Sequence, residues 1–459
     1  MRLGLAALTD ATRPLITPGD AGTGIVHFGL GAFHRAHQAV YTEEAMAKGG
    51  GDWGTVGVAP HSTGVLDALR AQDGLFSVTS LSADGSETRV VGALSGLLHA
   101  HSQPDEVVAL IASAAVRVVT LTITEKGYAQ GAAVPALLAR ALHARCRADA
   151  GPIALVTCDN LPSNGRYLRA VMERIVDPGA REWLAAQVSF PGTMVDRIVP
   201  AATPESLALA AANLGMDDLA AVSAEPYRQW VIEDAFPGGR PAWELAGAVM
   251  TDDARPWERL KLRSLNGVHS ALAYLGALAG RETIADALAI PGMRELMSRL
   301  IAEDIAPSLT PPEGVTVTEY GESVLGRFAN PAMGHRTVQV AMDGSQKLPQ
   351  RVLHTIQDRR AAGAVPTWAL LVVAAWMRFV QGSADDGRPL LLDDPLAGRI
   401  RARLADGGST PEAVVDSLLG LREVFPAELA EDDAVRAGLV KWLATLDKHG
   451  VEATVAGAV

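Results

Sequence analysis

Five short runs rich in β-branched residues constrain the first half of the chain: 24–28 (GIVHF), 55–59 (TVGVA), 118–124 (VVTLTIT), 153–157 (IALVT) and 193–199 (TMVDRIV). Stretches of helical period, such as 63–72 and 132–148, separate them. Strands that return to one sheet in parallel need long crossovers, and helices of this kind supply them, so the pattern demands a parallel sheet covered by helices. A further run at 228–234 (RQWVIED) is followed by a Gly/Pro cluster at 236–243 (FPGGRPAW), the clearest linker signal in the chain. Beyond it strand patterns nearly vanish, and amphipathic helices are expected over 257–279, 284–305, 319–327, 347–362 and 367–381. The expected architecture is α/β: a parallel-sheet domain over 1–240 and a mainly α-helical domain over 241–459. A length of 459 residues suffices for two such cores.

Charge narrows the partners. Forty Lys and Arg against 52 Asp and Glu leave a net charge of −12, which repels phosphate backbones and anionic bilayers, so neither nucleic acid nor a membrane is expected as a partner. The most apolar stretch, 368–377 (WALLVVAAWM), is far short of the ~20 residues a bilayer span requires and reads as a buried core helix. Cys146 and Cys158 are too few for a disulfide framework, and the opening residues lack an export signal. A reducing cytoplasm is the expected setting.

The first strand runs into Gly29-Leu30-Gly31-Ala32-Phe33-His34-Arg35, which opens a helix towards Met46. Two glycines at this point permit a tight turn and close approach of a pyrophosphate to helix N-terminal amides, the signature of a Rossmann-type dinucleotide site. His34 stands where the third glycine is usual, so an ordinary tight turn is the competing reading. Arg35 could add charge to the cradle. The second strand ends in Val58-Ala59-Pro60-His61-Ser62 without a carboxylate for the adenosine ribose, so local sequence does not decide between NAD and NADP. His34 and His37 lack ligand companions at metal spacing, and no metal is expected.

A second cluster, KLRSLNGVHS at 261–270, sets Lys261, Asn266 and His269 in an apolar helix. On an α-helix Lys261, His269 and Asn266 fall at about 0°, 80° and 140°, with Lys261 and His269 ~12 Å apart along the axis. A snorkelling lysine with a hydrogen-bonded core Asn and His explains this as well as a site does. Ketone reduction by hydride needs a proton donor at oxygen and amide donors for the developing alkoxide, which a desolvated lysine and an asparagine supply. Polar groups also stand where strands should end, in CDNLPSNG at 158–165 and around Asp196-Arg197. An Asx-turn and a surface ion pair are their simpler readings.

Taken together, GxGAFHRAHQAVY at 29–41, TEKGY at 124–128, CDNLPSNG, FPGTMVDRIVPA at 190–201, EPYRQWVIED at 225–234, KLRSLNGVHS and DGSQKLPQR at 343–351 resemble the mannitol dehydrogenase family of zinc-independent, polyol-specific long-chain dehydrogenases. The resemblance spans nearly the whole chain. It implies an N-terminal Rossmann-type domain, a helical C-terminal domain, an active site in the cleft between them, and NAD as cofactor, with NADP not excluded. By motif, Lys261 would be the general acid/base, Asn160 and Asn266 would hold the reacting oxygen, His269 would orient substrate and lysine, and Asp196 would be a further active-site group. Glu125 and Glu258 match acidic positions that could relay protons.

Within the family, TEKGY, MVDRIVPAATPE, RQWVIEDAFPGGRPAW and HRTVQVAMDGSQKLPQR are most similar to the uronate-reducing members. The implied partner is a small sugar acid, with reduction of D-fructuronate at C5 to D-mannonate. A uronate carboxylate calls for added cations, and Arg336, Lys347 and Arg351 are available, though solvated surface positions explain them equally well. The alternatives are a mannitol, arabinitol or sorbitol 2-dehydrogenase, a tagaturonate reductase, and a non-catalytic nucleotide or sugar sensor.

Overall fold

In the computed structural model, which describes residues 1–458, β1 (Thr23–Phe28) lies between β2 (Gly54–Ala59) and β6 (Val118–Leu121). With β5 (Leu94–His99), β7 (Ile153–Thr157) and β8 (Val188–Ser189) these form one parallel sheet in the order β5-β2-β1-β6-β7-β8. Both faces are covered, which is why its strands read as continuous apolar runs. Val26, Phe28, Val119, Leu121 and Leu155 share one cluster with α4 (Pro104–Ile111), α5 (Ala133–Ala148) and α6 (Asn164–Ile175). Their neighbours Ile25, Val118 and Val156 join Tyr41, Trp230 and Trp243 in another. The remaining helices of this region are α1 (Ala32–Ala36), α2 (Gln38–Gly49), α3 (Gly64–Arg70), α7 (Arg181–Gln187) and α8 (Pro204–Leu214), the last opened by a Thr203/Ser206 capping box. Buried Arg145 fastens the end of α5, donating to the carbonyls of Ile111, Ser113, Val116, Ala150, Gly151 and Pro152.

Two expected strands are shorter than the sequence suggests. The run from 118 pairs only as far as Leu121, after which the chain leaves the sheet and Thr124 takes a φ of 62°. The run from 193 pairs only over β9 (Thr193–Asp196), and it belongs to a separate sheet with β11 (Gln229–Glu233) and β12 (Val249–Thr251). A third sheet, β10 (Val222–Ala224) with the hairpin β3 (Phe76–Ser82) and β4 (Gly85–Val91), was not anticipated.

By internal packing the chain divides into Met1–Glu258 and Arg259–Val459. The second unit is helical, as expected, but its helices are interrupted. α9 (Arg255–Leu260) passes into a π-helix at Lys261–Gly267 before α10 (Val268–Leu278). The stretch expected over 284–305 breaks at Gly292, whose φ is 83°, into Ile284–Leu288, Met293–Arg299 and a π-helix at Leu300–Ile305. A third π-helix, Pro349–Leu353, separates Gly344–Leu348 from His354–Ala361. The helix Thr367–Phe379 is the core of this unit, with every residue from Trp368 to Met377 buried. It packs against α10 and the long terminal helix Asp433–Ala458. No helix among the described residues is long and apolar enough to cross a membrane.

Candidate active site

Chain order departs in opposite directions from β1, so the turn after it opens at the switch point where parallel sheets receive ligands. Gly29 has a φ of 105°, and a Cβ there would come within 2.0 Å of the Thr122 carbonyl. Only glycine fits. At Gly31 a Cβ would project into open space. The turn is braced from below by His27, whose Nε2 lies 2.8 Å from the Gly29 carbonyl and whose Nδ1 lies 2.7 Å from Thr120 Oγ1. A carbonyl can only accept, so Nε2 carries the proton and Nδ1 accepts from Thr120. Burial takes the His27 imidazole down to about 3, which keeps it neutral. His34 stacks on His27 with ring centroids 3.4 Å apart, and Phe33 stacks on His37 at 5.0 Å. Arg35 is directed into the fold: its guanidinium donates to the carbonyls of Leu30 and Ala220, and burial lowers it to about 10.

The ends of β6, β7 and β9 supply a connected polar layer in the same unit. The Asp159 carboxylate receives the amides of Ile123 and Thr124 and the Tyr128 hydroxyl, the last at 2.6 Å, and so fixes the loop that carries exposed Glu125. Burial nevertheless holds the Asp159 carboxyl above the ordinary carboxylate range. Asn160 follows it directly. Asn164, buried to 2%, donates to the carbonyls of Thr157, Asp159 and Thr193 and accepts the Thr193 amide at 2.9 Å. It therefore ties the β7 end to β9, which terminates in buried Asp196. Asp196 and Arg197 are not a surface ion pair: both are buried, and Arg197 donates to the Glu225 and Ala36 carbonyls. Glu258, on α9, accepts the Ser163 amide at 3.0 Å.

In the second unit, the π-helix changes the geometry inferred from an α-helical wheel. A π-helix repeats from i to i+5, so Asn266 stands one turn along from Lys261 rather than on a diverging face. Lys261 and Asn266 are buried at 9% and 7% exposure. Asn266 Nδ2 and His269 Nε2 are buried without a hydrogen-bond partner among the described residues, a costly arrangement for unused donors or acceptors. The His269 ring stacks on Phe328 at 4.7 Å and lies 5.5 Å from that of His335. Burial first, then His335, Arg351, Lys347 and Arg327, hold His269 well below its ordinary pKa. Lys347 donates to the Met342 and Val340 carbonyls, and Arg351 to Ser270 Oγ. Arg336 is exposed, whereas Lys347 and Arg351 are not.

The sequence pattern did not single out His27, Tyr128 or His335, and offered Asn164 only as an Asx-turn residue. A histidine inside the apolar run GIVHF was the available signal for His27; the others form part of quoted motifs without a spacing that marks them. Among the described residues no group of three or more His, Cys, Asp or Glu side chains is arranged to hold a metal ion.

A dinucleotide-type turn at a sheet switch point, joined to a helical unit with a buried lysine, defines a class of two-part oxidoreductases. The mannitol dehydrogenase Rossmann domain matches residues 23–245, and the mannitol dehydrogenase C-terminal domain matches residues 253–447. The chain belongs to the mannitol dehydrogenase family and is an oxidoreductase of that family. It is 43% identical over 440 residues to the uncharacterized oxidoreductase YeiQ of Escherichia coli (strain K12), covering 89% of each chain. It is 37% identical over 462 residues to the D-mannonate oxidoreductase of the same organism, covering 93% of this chain and 95% of that one. The structure of Pseudomonas fluorescens mannitol 2-dehydrogenase, a ternary complex with NAD and D-mannitol, superposes with a TM-score of 0.86 at 33% identity, covering 100% of this chain and 99% of that one.

Proposed function

We propose that the chain interconverts D-fructuronate and D-mannonate by hydride transfer at C5, using NAD. The observation that carries this reading is the conjunction of buried Lys261 and Asn266 on one π-helix with His269 at the start of the following α10, Asn266 Nδ2 and His269 Nε2 both being unspent. The turn fits a dinucleotide, because Gly29 excludes a side chain and Gly31 leaves open space for close approach of a pyrophosphate. The backbone of Gly29, Gly31, Ala32 and Phe33 would hold it, with His34 and Arg35 shaping the turn from within. The reduced dinucleotide, NADH, would supply the hydride for ketone reduction, and the oxidised form, NAD+, would accept it in the reverse direction.

The protein's own part is proton transfer and orientation. The Lys261 ammonium gives its proton to the ketone oxygen as C5 gains hydride, leaving an alcohol and a neutral amine. Asn266 and Asn160 donate to the oxygen as it gains charge. His269, kept neutral, orients a substrate hydroxyl and the lysine, and Asp196 accepts from another hydroxyl. Glu258 and Glu125 return a proton to Lys261. The uronate reading is supported by the name of the D-mannonate oxidoreductase relative and by the cations that act on His269, namely Arg351, Lys347 and Arg327, which would complement a carboxylate. The likeness to a mannitol 2-dehydrogenase favours an uncharged polyol as the second reading.

NADH oxidation measured with fructuronate, tagaturonate and fructose side by side separates these readings. Preference for fructuronate is expected. Turnover of fructose alone would establish the polyol reading, and turnover of none would overturn catalysis on ketoses.

A further inference from the structure

Outside these strand ends, the first unit carries a cleft of about 670 Å³ between α5 and α6, within the size range of small-molecule sites. Its floor is apolar, with Ala136 and Ala139 on α5 and Ile175 on α6, the last left 43% exposed. Its rim is basic: Arg140, His143 and Arg147 from α5 and Arg174 from α6. Four such groups around one cleft run against the balance of a chain whose net charge is −12. Arg140 is partly spent on Asp105 at 2.7 Å, and the acidic lining residue Asp177 accepts the Gly179 amide. The spacing of Ala136, Ala139, His143 and Arg147 sets an apolar stripe and a basic end on one face of α5.

We propose that this cleft binds a small amphipathic organic anion, its apolar body on the alanine floor and its oxyanion between Arg147 and Arg174. Charge complementarity and the uncovered apolar floor select this chemistry over a neutral ligand, which would leave the guanidinium groups unused, and over a bare inorganic ion, which would leave the floor unused. The site is independent of the redox reading. Its inner wall is Tyr128, whose hydroxyl is shared between Thr157 Oγ1 and Asp159 Oδ2, each at 2.6 Å. Asp159 in turn holds the amides of Ile123 and Thr124. An occupant therefore braces the segment 123–131, which carries Glu125.

The test uses the full chain with anilinonaphthalene sulfonate, an aromatic body bearing one oxyanion, in the presence of excess NAD. Saturable fluorescence enhancement is expected. Arg147→Glu with Arg174→Glu should weaken it about tenfold or more, and Ala136→Trp should abolish it by filling the floor. Circular dichroism would verify that each variant is folded. Hydrogen exchange over 123–131 should slow on dye binding, and inorganic phosphate should displace the dye only weakly. Absence of saturable binding once NAD is in excess, or unchanged affinity in the charge-reversed variant, would each overturn the proposal.

Discussion

Gly267 lies against the backbone carbonyl of Arg351, so that a Cβ at 267 would come within 2.7 Å of that oxygen. The contact joins two π-helical stretches, Lys261–Gly267 and Pro349–Leu353, and lets them approach closely. Gly267→Ala must push them apart, and the residue that moves first is the adjacent Asn266. A displacement of this kind costs about 1–3 kcal/mol in packing and on the order of 100-fold in turnover when it touches a reacting geometry. The expected result is a large fall in kcat with NADH affinity unchanged, measured by steady-state kinetics and fluorescence titration.

Lys261→Ala should lower kcat by about 100-fold to 10,000-fold, the usual contribution of a positioned acid or base. NADH binding should persist, because the lysine acts at the ketone oxygen in the proposed mechanism. Near-normal turnover in this variant would remove Lys261 from the chemistry.

Asn164→Ala deletes the link between the ends of β7 and β9. Its side chain makes bonds to Thr157, Asp159 and Thr193, all in buried or partly buried positions, and the acceptors would be left without it. A loss of about 2–3 kcal/mol is expected, read as a lower urea midpoint. Substrate KM should rise as well, since Asn160 and Asp196 sit on the two segments that Asn164 joins.

The sequence made the central strands legible because they are buried on both faces, so GIVHF, TVGVA and IALVT stand out as apolar runs. The β3–β4 hairpin escaped notice for the opposite reason: Gly85, Ser86 and Glu87 are exposed, and half of its pattern is polar. Lys261, Asn266 and His269 could be picked out by residue type, but their relative disposition could not, because an α-helix and a π-helix share nearly the same residue preferences. Arg35 shows the same limit. Its position beside the glycine turn suggested a phosphate contact, and only the fold reveals carbonyl acceptors at Leu30 and Ala220.

Gly29→Ala should be more damaging than Gly31→Ala. The first substitution forces a Cβ into the Thr122 carbonyl at a backbone angle that L-residues rarely adopt, whereas the second meets nothing within 4 Å in the protein. The expected outcome is loss of both stability and NADH affinity for Gly29→Ala. Gly31→Ala should retain its unfolding midpoint while binding NADH more weakly. Equal effects on thermal unfolding would contradict the strain argument.

The buried histidines give the fold an acid limit. His27 and His37 are each lowered from 6.5 to about 3, chiefly by burial, so the native state holds them neutral while an unfolded chain protonates them as pH drops through 6.5. Their stabilising effect is therefore fully present above 6.5 and is lost progressively between 6.5 and about 3. At pH 5 each would have forfeited about 2 kcal/mol relative to neutral pH. Urea midpoints measured from pH 7.5 to 5 should fall accordingly, and His27→Gln, which keeps a donor for the Gly29 carbonyl but does not titrate, should reduce the decline by that one residue's share, about 2 kcal/mol at pH 5, while His34, His37 and His269 continue to contribute theirs. An unchanged slope in that variant would show that His27 is not one of the groups that titrate on unfolding.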